Sequence, residues 1–366
     1  MALAGAAAVL GGAASAAATG GIETPLRVAP VALISFDANG DAAADVAVSN
    51  SISGNLSVHL GRGDGTFSPA AQYPVGGRPL SVQAGDFDGD GDADLATANS
   101  VANHVSVLLG AGDGTFAVPR HVSAGLLPGA VEVGDFDRDG RLDLAVSNLG
   151  SDDVSVLMGH GDGSFDSPVS YPVDARVPGC LRTEDLNGDG ILDLATSNVA
   201  SGDASALLGR GDGTFGRAST TPTGLLAMCI TSGEIDGDGH TDLAIANTAS
   251  HNVAVLLGRG DGTFRPTAVA PAAQAPFMPA LADFDGDGHA DLAVATGGRV
   301  TVRQGHGDGS FGPARTYDSG LVPWWVTAAD VNADGRPDLV VANGGGGSLS
   351  ILLGRGDGTF HPASTY

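Results

Sequence analysis

Asp86, Asp88 and Asp90 stand on alternate positions of the stretch DFDGDGDADL, with Gly91 after them and Asp94 closing the set. Carboxylates so spaced can converge on one hard cation. Positions 1, 3 and 5 offer side-chain oxygens, the glycine allows the turn, position 7 offers its backbone carbonyl and Asp94 at position 9 clamps the far side. Calcium takes about six to eight oxygens, and this loop can supply them.

The pattern is present seven times. Its members are Asp37, Asn39, Asp41 and Asp45; Asp86, Asp88, Asp90 and Asp94; Asp135, Asp137, Asp139 and Asp143; and Asp185, Asn187, Asp189 and Asp193. It continues with Glu234, Asp236, Asp238 and Asp242; Asp283, Asp285, Asp287 and Asp291; and Asp330, Asn332, Asp334 and Asp338. These are the candidate metal ligands, and up to seven calcium ions are the expected cofactor. The first loop has Ala42 where the others have glycine and the fifth opens on the longer Glu234, so those two sites are expected to be weaker. The competing reading is that the carboxylates only build Asx turns. It leaves acids crowded within ten residues with no cation to offset their repulsion.

Starts of successive loops lie 47 to 50 residues apart, a period that belongs to propellers and solenoids and overrides a domain count from length. The formal charge of −25 is read through the same loops, which hold 25 of the 42 acidic residues; seven divalent ions would bring it to −11. That balance argues against a nucleic-acid partner. Aromatics are only 5% and glycines number 58, as suits thin, closely packed strands with many tight turns.

The elements that must position the loops are short. In the second repeat Leu80 to Gly85 enters the loop, Asp94 to Ala98 leaves it, Val105 to Leu109 alternates, and Phe116 to Val122 follows the GAGDGTF turn. Four strands make one antiparallel blade, and no segment carries a helical period. Position 12 excludes EF-hands, which need a bidentate Glu there; here it is Val48, Thr97, Val146, Thr196, Ile245, Val294 and Val341. The fold class is therefore all-β, a seven-bladed β-propeller, because a linear stack would need capping units that are not visible. The segment Ile22 to Leu26 is a candidate to complete the last outer strand. Residues 1–21, Ala/Gly-rich and without charge, resemble a secretory signal peptide lacking its basic n-region, with a low-complexity tail as the alternative; the propeller occupies 22–366.

The repeated DFDGDGxxDLAVxN…VSVLLGxGDGTF pattern resembles the FG-GAP/VCBS repeat family, the seven-bladed propellers to which the integrin α-subunit head belongs. The resemblance implies calcium between the first and second strands of a blade, on the face opposite the usual ligand face.

Other motifs have structural readings beside functional ones. Arg-Gly-Asp occurs at Arg62, Arg210, Arg259 and Arg355, but Ala111, His160 and His306 replace the Arg elsewhere, so it is read as filler in a Gly-x-Gly-Asp-Gly hairpin. Asn50, Asn99, Asn148, Asn198, Asn247 and Asn343, with Thr296 as the exception, are read as opening the next hairpin by an Asx turn, or else as amides for a polar ligand. Trp324 and Trp325, with Met228, Phe277 and Met278, make one side of the axis apolar, as a plug or as a stacking platform. Glu132, Arg182 and Glu184 are read as structural pairs. Cys180 and Cys229 occupy equivalent places in adjacent blades and are read either as a disulfide or as two buried small hydrophobes.

Every carboxylate cluster belongs to the repeat and the nine histidines show no acid/base pairing, so no catalytic set is assigned and the chain is expected not to be an enzyme. The expected function is that of a secreted or cell-surface interaction and adhesion module, monomeric, without a membrane span, binding an extracellular protein. A lectin binding glycans and an enzyme acting on polysaccharide are the alternatives.

Overall fold

The computed structural model describes residues 29–272 and 274–366. They form seven four-stranded antiparallel sheets, each taking its strands in sequence order. The inner strands are Pro30–Phe36, Pro79–Gly85, Pro128–Gly134, Pro178–Glu184, Ala227–Gly233, Pro276–Ala282 and Pro323–Ala329, and they number blades 1 to 7. The chain is thus an all-β seven-bladed propeller, as the period predicts. No helix of the described residues is long and apolar enough to cross a membrane.

Each second strand, such as Asp94–Asn99 with the sequence DLATAN, is buried at all six positions. Both faces of a blade lie against a neighbour, so small and branched side chains are required on both, which is why these strands do not alternate apolar with polar. Among the described residues, clusters of buried side chains join neighbouring blades; one unites Ala96 and Val107 of blade 2 with Val131 and Val146 of blade 3.

The outer strands depart from the sequence reading. In blade 2 the outer strand is Arg120–Ser123, not a run from Phe116. Phe116 instead pairs with Gly110 in an isolated bridge that closes the GAGDGTF hairpin. Pro119 then has no amide to donate, so the ladder resumes only after it.

Closure repeats the contact made between other blades. Gly114, Gly163, Gly213, Gly262 and Gly358 each donate a backbone N–H to the position-2 carbonyl of the preceding blade's acidic loop, and Gly65 of blade 1 does the same to Val331 of blade 7 at 3.1 Å. Tyr366 adds its hydroxyl to the Gly65 carbonyl at 3.2 Å and packs edge-on against Phe67. The last outer strand is Ser364–Thr365, paired with Ser350 and Ile351. The proposed latch at Ile22 to Leu26 and the leader at 1–21 lie outside the described residues.

Candidate metal centres

All seven acidic loops join an inner to a second strand, and backbone amides hold each one closed. The position-1 carboxylate accepts the N–H of position 6 in every loop, from Ala42 to Asp37 at 2.9 Å through Gly335 to Asp330 at 2.7 Å. Position 3 accepts from position 5, and position 5 from position 7, as in Asp90 N–H to Asp88 at 3.3 Å and Asp92 N–H to Asp90 at 2.9 Å. The side chains therefore do form Asx turns. The turns also gather them: the carboxylate oxygens of Asp86, Asp88 and Asp90 lie within 4.8 Å of one another, as do those of Asp135, Asp137 and Asp143. Glu234, Asp236 and Asp242 form a third such group and Asp283, Asp285 and Asp291 a fourth. Hard oxygens at that spacing can hold a divalent cation. Glu234 belongs to one of these groups and keeps the position-1 bond.

Position 9 does more than close a coordination shell. One oxygen of Asp94 accepts Phe87 N–H at 2.8 Å within the loop, and the other accepts Gly110 N–H at 2.6 Å from the hairpin between the third and outer strands. The same two bonds recur at Asp45, Asp143, Asp193, Asp242, Asp291 and Asp338. The hairpin comes so close that a Cβ on Gly110 would lie 2.3 Å from the Ala93 carbonyl oxygen, so only glycine fits there. Burial pushes Asp94, Asp143, Asp193, Asp242 and Asp291 up to about 6, against the pull of these amides, and neighbouring loop carboxylates push the same way. A cation in the loop would favour the ionised form and offset that cost.

The remaining motifs find their places. In the hairpins Asp64 Oδ1 accepts Thr66 N–H and Oγ1–H at 2.9 and 2.6 Å, while Arg62 bonds back to Thr66 and the Phe67 carbonyl. Arg and Asp of that tripeptide are thus both committed to their own turn. The asparagines after the second strand are buried, and Asn148 Nδ2 bridges Asp153 and Ser155 at 2.7 and 2.9 Å, so they pin the next hairpin instead of facing a ligand. Arg182 pairs with Glu132 at 2.7 Å across blades 3 and 4, and Ser232 donates to Glu184 at 2.7 Å. Burial pushes Glu132 up despite Arg182 beside it. Cys180 and Cys229 form a disulfide joining the inner strands of blades 4 and 5. Phe277 stacks on Trp324 with ring centroids 5.1 Å apart, beside a cavity on the axis. Sequence reasoning missed the pair His104 and His121, tilted against each other with ring centroids 4.3 Å apart across the third and outer strands of blade 2, because their approach depends on strand register.

The FG-GAP-like repeat profile matches residues 37–97, 86–146, 185–245, 234–294, 283–341 and 330–366. The chain belongs to the FG-GAP-like repeat family. No curated protein matches it in sequence. Among solved structures, FG-GAP-like repeats here share their fold with an Agrocybe aegerita lectin described as recognising non-reducing terminal N-acetylglucosamine. That match has 19% identity and TM-score 0.56, covering 93% of this chain and 90% of the lectin. A virginiamycin B lyase from Staphylococcus aureus matches at 11% identity and TM-score 0.60, with 87% and 92% covered. The periplasmic gluconolactonase of Pseudomonas aeruginosa matches at 18% and 0.61, with 82% and 90% covered.

At these identities the likeness is one of fold, and it corrects the expectation that the chain is not an enzyme. A lyase and a gluconolactonase are built on this architecture, so a regular repeat with no visible catalytic motif is no ground for excluding catalysis. The physical reason is convergence. Glu132 and Arg182 stand fifty residues apart in sequence yet meet between the inner strands of blades 3 and 4, and an acid/base set assembled in that way leaves no linear motif.

Proposed function

We propose that this FG-GAP-like propeller is stabilised by calcium in its acidic loops and works outside the cell as a recognition module for a protein partner. The observation that carries the reading is the convergence of three carboxylates within 4.8 Å in four loops, Asp86, Asp88 and Asp90 among them. Extracellular modules bind calcium weakly and use its abundance there, which suits loops exposed at positions 4 to 6. When bound, the ion would supply charge compensation. The loop residues already supply the link between each inner hairpin and the next blade.

A glycan partner is the second reading, favoured by the half-buried aromatic rings of Phe277 and Trp325 at the axis. Calorimetric titration of the chelated chain with calcium tests the first half: saturable heat at several sites is expected, and its absence would remove calcium from the account. A glycan array and binding to immobilised extracellular-matrix proteins test the second half. Retention on the array alone would exchange the protein reading for the glycan one.

A further inference from the structure

The scaffold repeats itself closely except at one ring of positions. In blade 2, Pro79 pairs with Asn99 and Ser81 with Ala98, which leaves Leu80 as an extra residue in the inner strand. A bulge of this kind bends the strand and re-aims its side chain. The register shifts at the same place in every blade. The residue at that second position lines a single cavity on the axis in all seven. Where the loops repeat Asp and the second strands repeat Leu and Ala, these positions differ from blade to blade. Met228, Phe277 and Trp324 stand on one side, and Gly129 and Gly179 on the other. Side chains fix the bulges from the preceding blade, Ser147 donating to the Gly179 carbonyl at 2.6 Å and Ser197 to the Met228 carbonyl at 3.0 Å.

The cavity has a definite chemistry. Its volume is about 60 Å³ and no charged side chain lines it. A cavity that admits benzene measures about 150 Å³, so neither an aromatic ring nor a pyranose fits. A sugar would also leave hydroxyls without partners, at a cost of about 1–3 kcal/mol each. One branched aliphatic side chain meets both limits.

The surroundings point to a protein as its bearer. Leu126, Leu225 and Leu321 each stand three residues before a bulge and are 55%, 68% and 69% exposed. Ile52 and Val101, at the tips of hairpins on the same end of the ring, are 55% and 63% exposed. Backbone bonds from Gly150 to Leu126, Ala249 to Leu225 and Gly345 to Leu321 tie these blade-to-blade crossings to the hairpins. A small molecule would fill the axis and leave this apolar rim in water. The seven acidic loops lie at the opposite end; single charges such as Asp152, Asp174 and Arg176 stand on the outer part of this end, but the cavity they surround is lined without charge and is complementary to an apolar side chain.

We propose that this end of the ring docks a partner protein by inserting one aliphatic side chain on the axis, with the rim leucines covering its flanks. The proposal rests on the recognition-module reading and adds the place and the anchor.

Both tryptophans of the chain line the cavity, so intrinsic fluorescence reports on this site alone. The probe is a phage-displayed random-peptide library selected on the calcium-loaded full chain, with recovered peptides resynthesised and titrated. Expected are peptides sharing a Leu, Ile or Val, a saturable shift of tryptophan emission, and a loss of about ten-fold or more in affinity when that residue becomes alanine. The double change Leu225→Asp and Leu321→Asp should weaken binding similarly at an unchanged melting temperature; Leu80→Phe, which fills the cavity from the side, gives a second check. Peptides that bind without moving the emission, or that ignore Leu225→Asp and Leu321→Asp, would overturn this site and leave the module reading standing. A glycan that moves the emission where no peptide does would overturn the aliphatic anchor. Failure of the folded, calcium-loaded chain to retain any peptide, glycan or matrix protein would overturn both.

Discussion

Ala42 shows what a loop position demands of a residue. Position 6 adopts a left-handed backbone in every loop, with φ of 91° at Gly91 and 63° at Ala42. The left-handed region costs a residue with a Cβ about 1 kcal/mol, so Ala42→Gly should raise stability by about that amount in urea unfolding. The position-9 aspartates carry a second residue-scale prediction. For Asp94, Asp143, Asp193, Asp242 and Asp291 the folded value of about 6 lies above the value of about 3.9 for an unfolded Asp. At these groups the folded state therefore binds more protons than the unfolded one between those limits. Without metal, their contribution to stability is full below pH 4 and is lost as pH rises through 6. Calcium binds the ionised form and should reverse the slope. Urea midpoints at pH 4 and pH 7, in chelator and in calcium, measure both signs; equal slopes in the two series would deny that the ion sits beside these groups.

At the scale of elements, the seams between blades hold the molecule's shape. Each acidic loop is bound to its own hairpin through position 9, and six of the seven are bound to the next blade's hairpin through the position-2 carbonyl. Phe87 and Phe165, Phe136 and Phe215, and Phe284 and Phe360 reinforce the second seam edge to face at 5.3 to 5.7 Å. The seam between the inner strands of blades 4 and 5 alone carries a covalent link among the described residues, across 49 positions. Closing a loop of that length lowers the entropy of the unfolded chain by an amount worth about 4 kcal/mol. Replacing Cys180 and Cys229 together by serine should lower the unfolding free energy by about that much, and intact mass with and without reductant should differ by two hydrogens. An unchanged midpoint would mean that the ring already restrains these strands as strongly as the bond does.

For the whole molecule, stability and cation binding are linked. An ion present at a hundred times its dissociation constant adds about 2.7 kcal/mol per site if it binds only the folded state. Four filled loops would then add on the order of 10 kcal/mol, as much as the entire stability of many domains. For a ring of this size that corresponds to a melting temperature lower by about 10 °C or more in chelator than in calcium. Differential scanning calorimetry checks it, and coincident melting curves would count against metal in the loops.

What the chain order could and could not reveal follows from the range of the interactions. The number of blades, the strand between each loop and its asparagine, and the acids that gather in a loop were all legible, because each depends on residues within about ten positions of one another. The start of the outer strand of blade 2, expected at Phe116 and found at Arg120, was misread over a similarly short range, where one proline outweighed apolar alternation. Contacts between blades were hidden. Position 9 was legible as an acid but not as the clamp on a hairpin sixteen residues away, and the closure through Gly65 and Val331 joins opposite ends of the chain. The disulfide was one of two open readings until adjacent inner strands brought the sulfurs together. Most of all, the bulges decide the axis: a one-residue register shift in each blade turns seven positions, two of them glycine and five with unlike side chains, toward a common centre. No local pattern encodes that convergence, because the residues that meet there are about fifty positions apart and only the closed ring makes them neighbours.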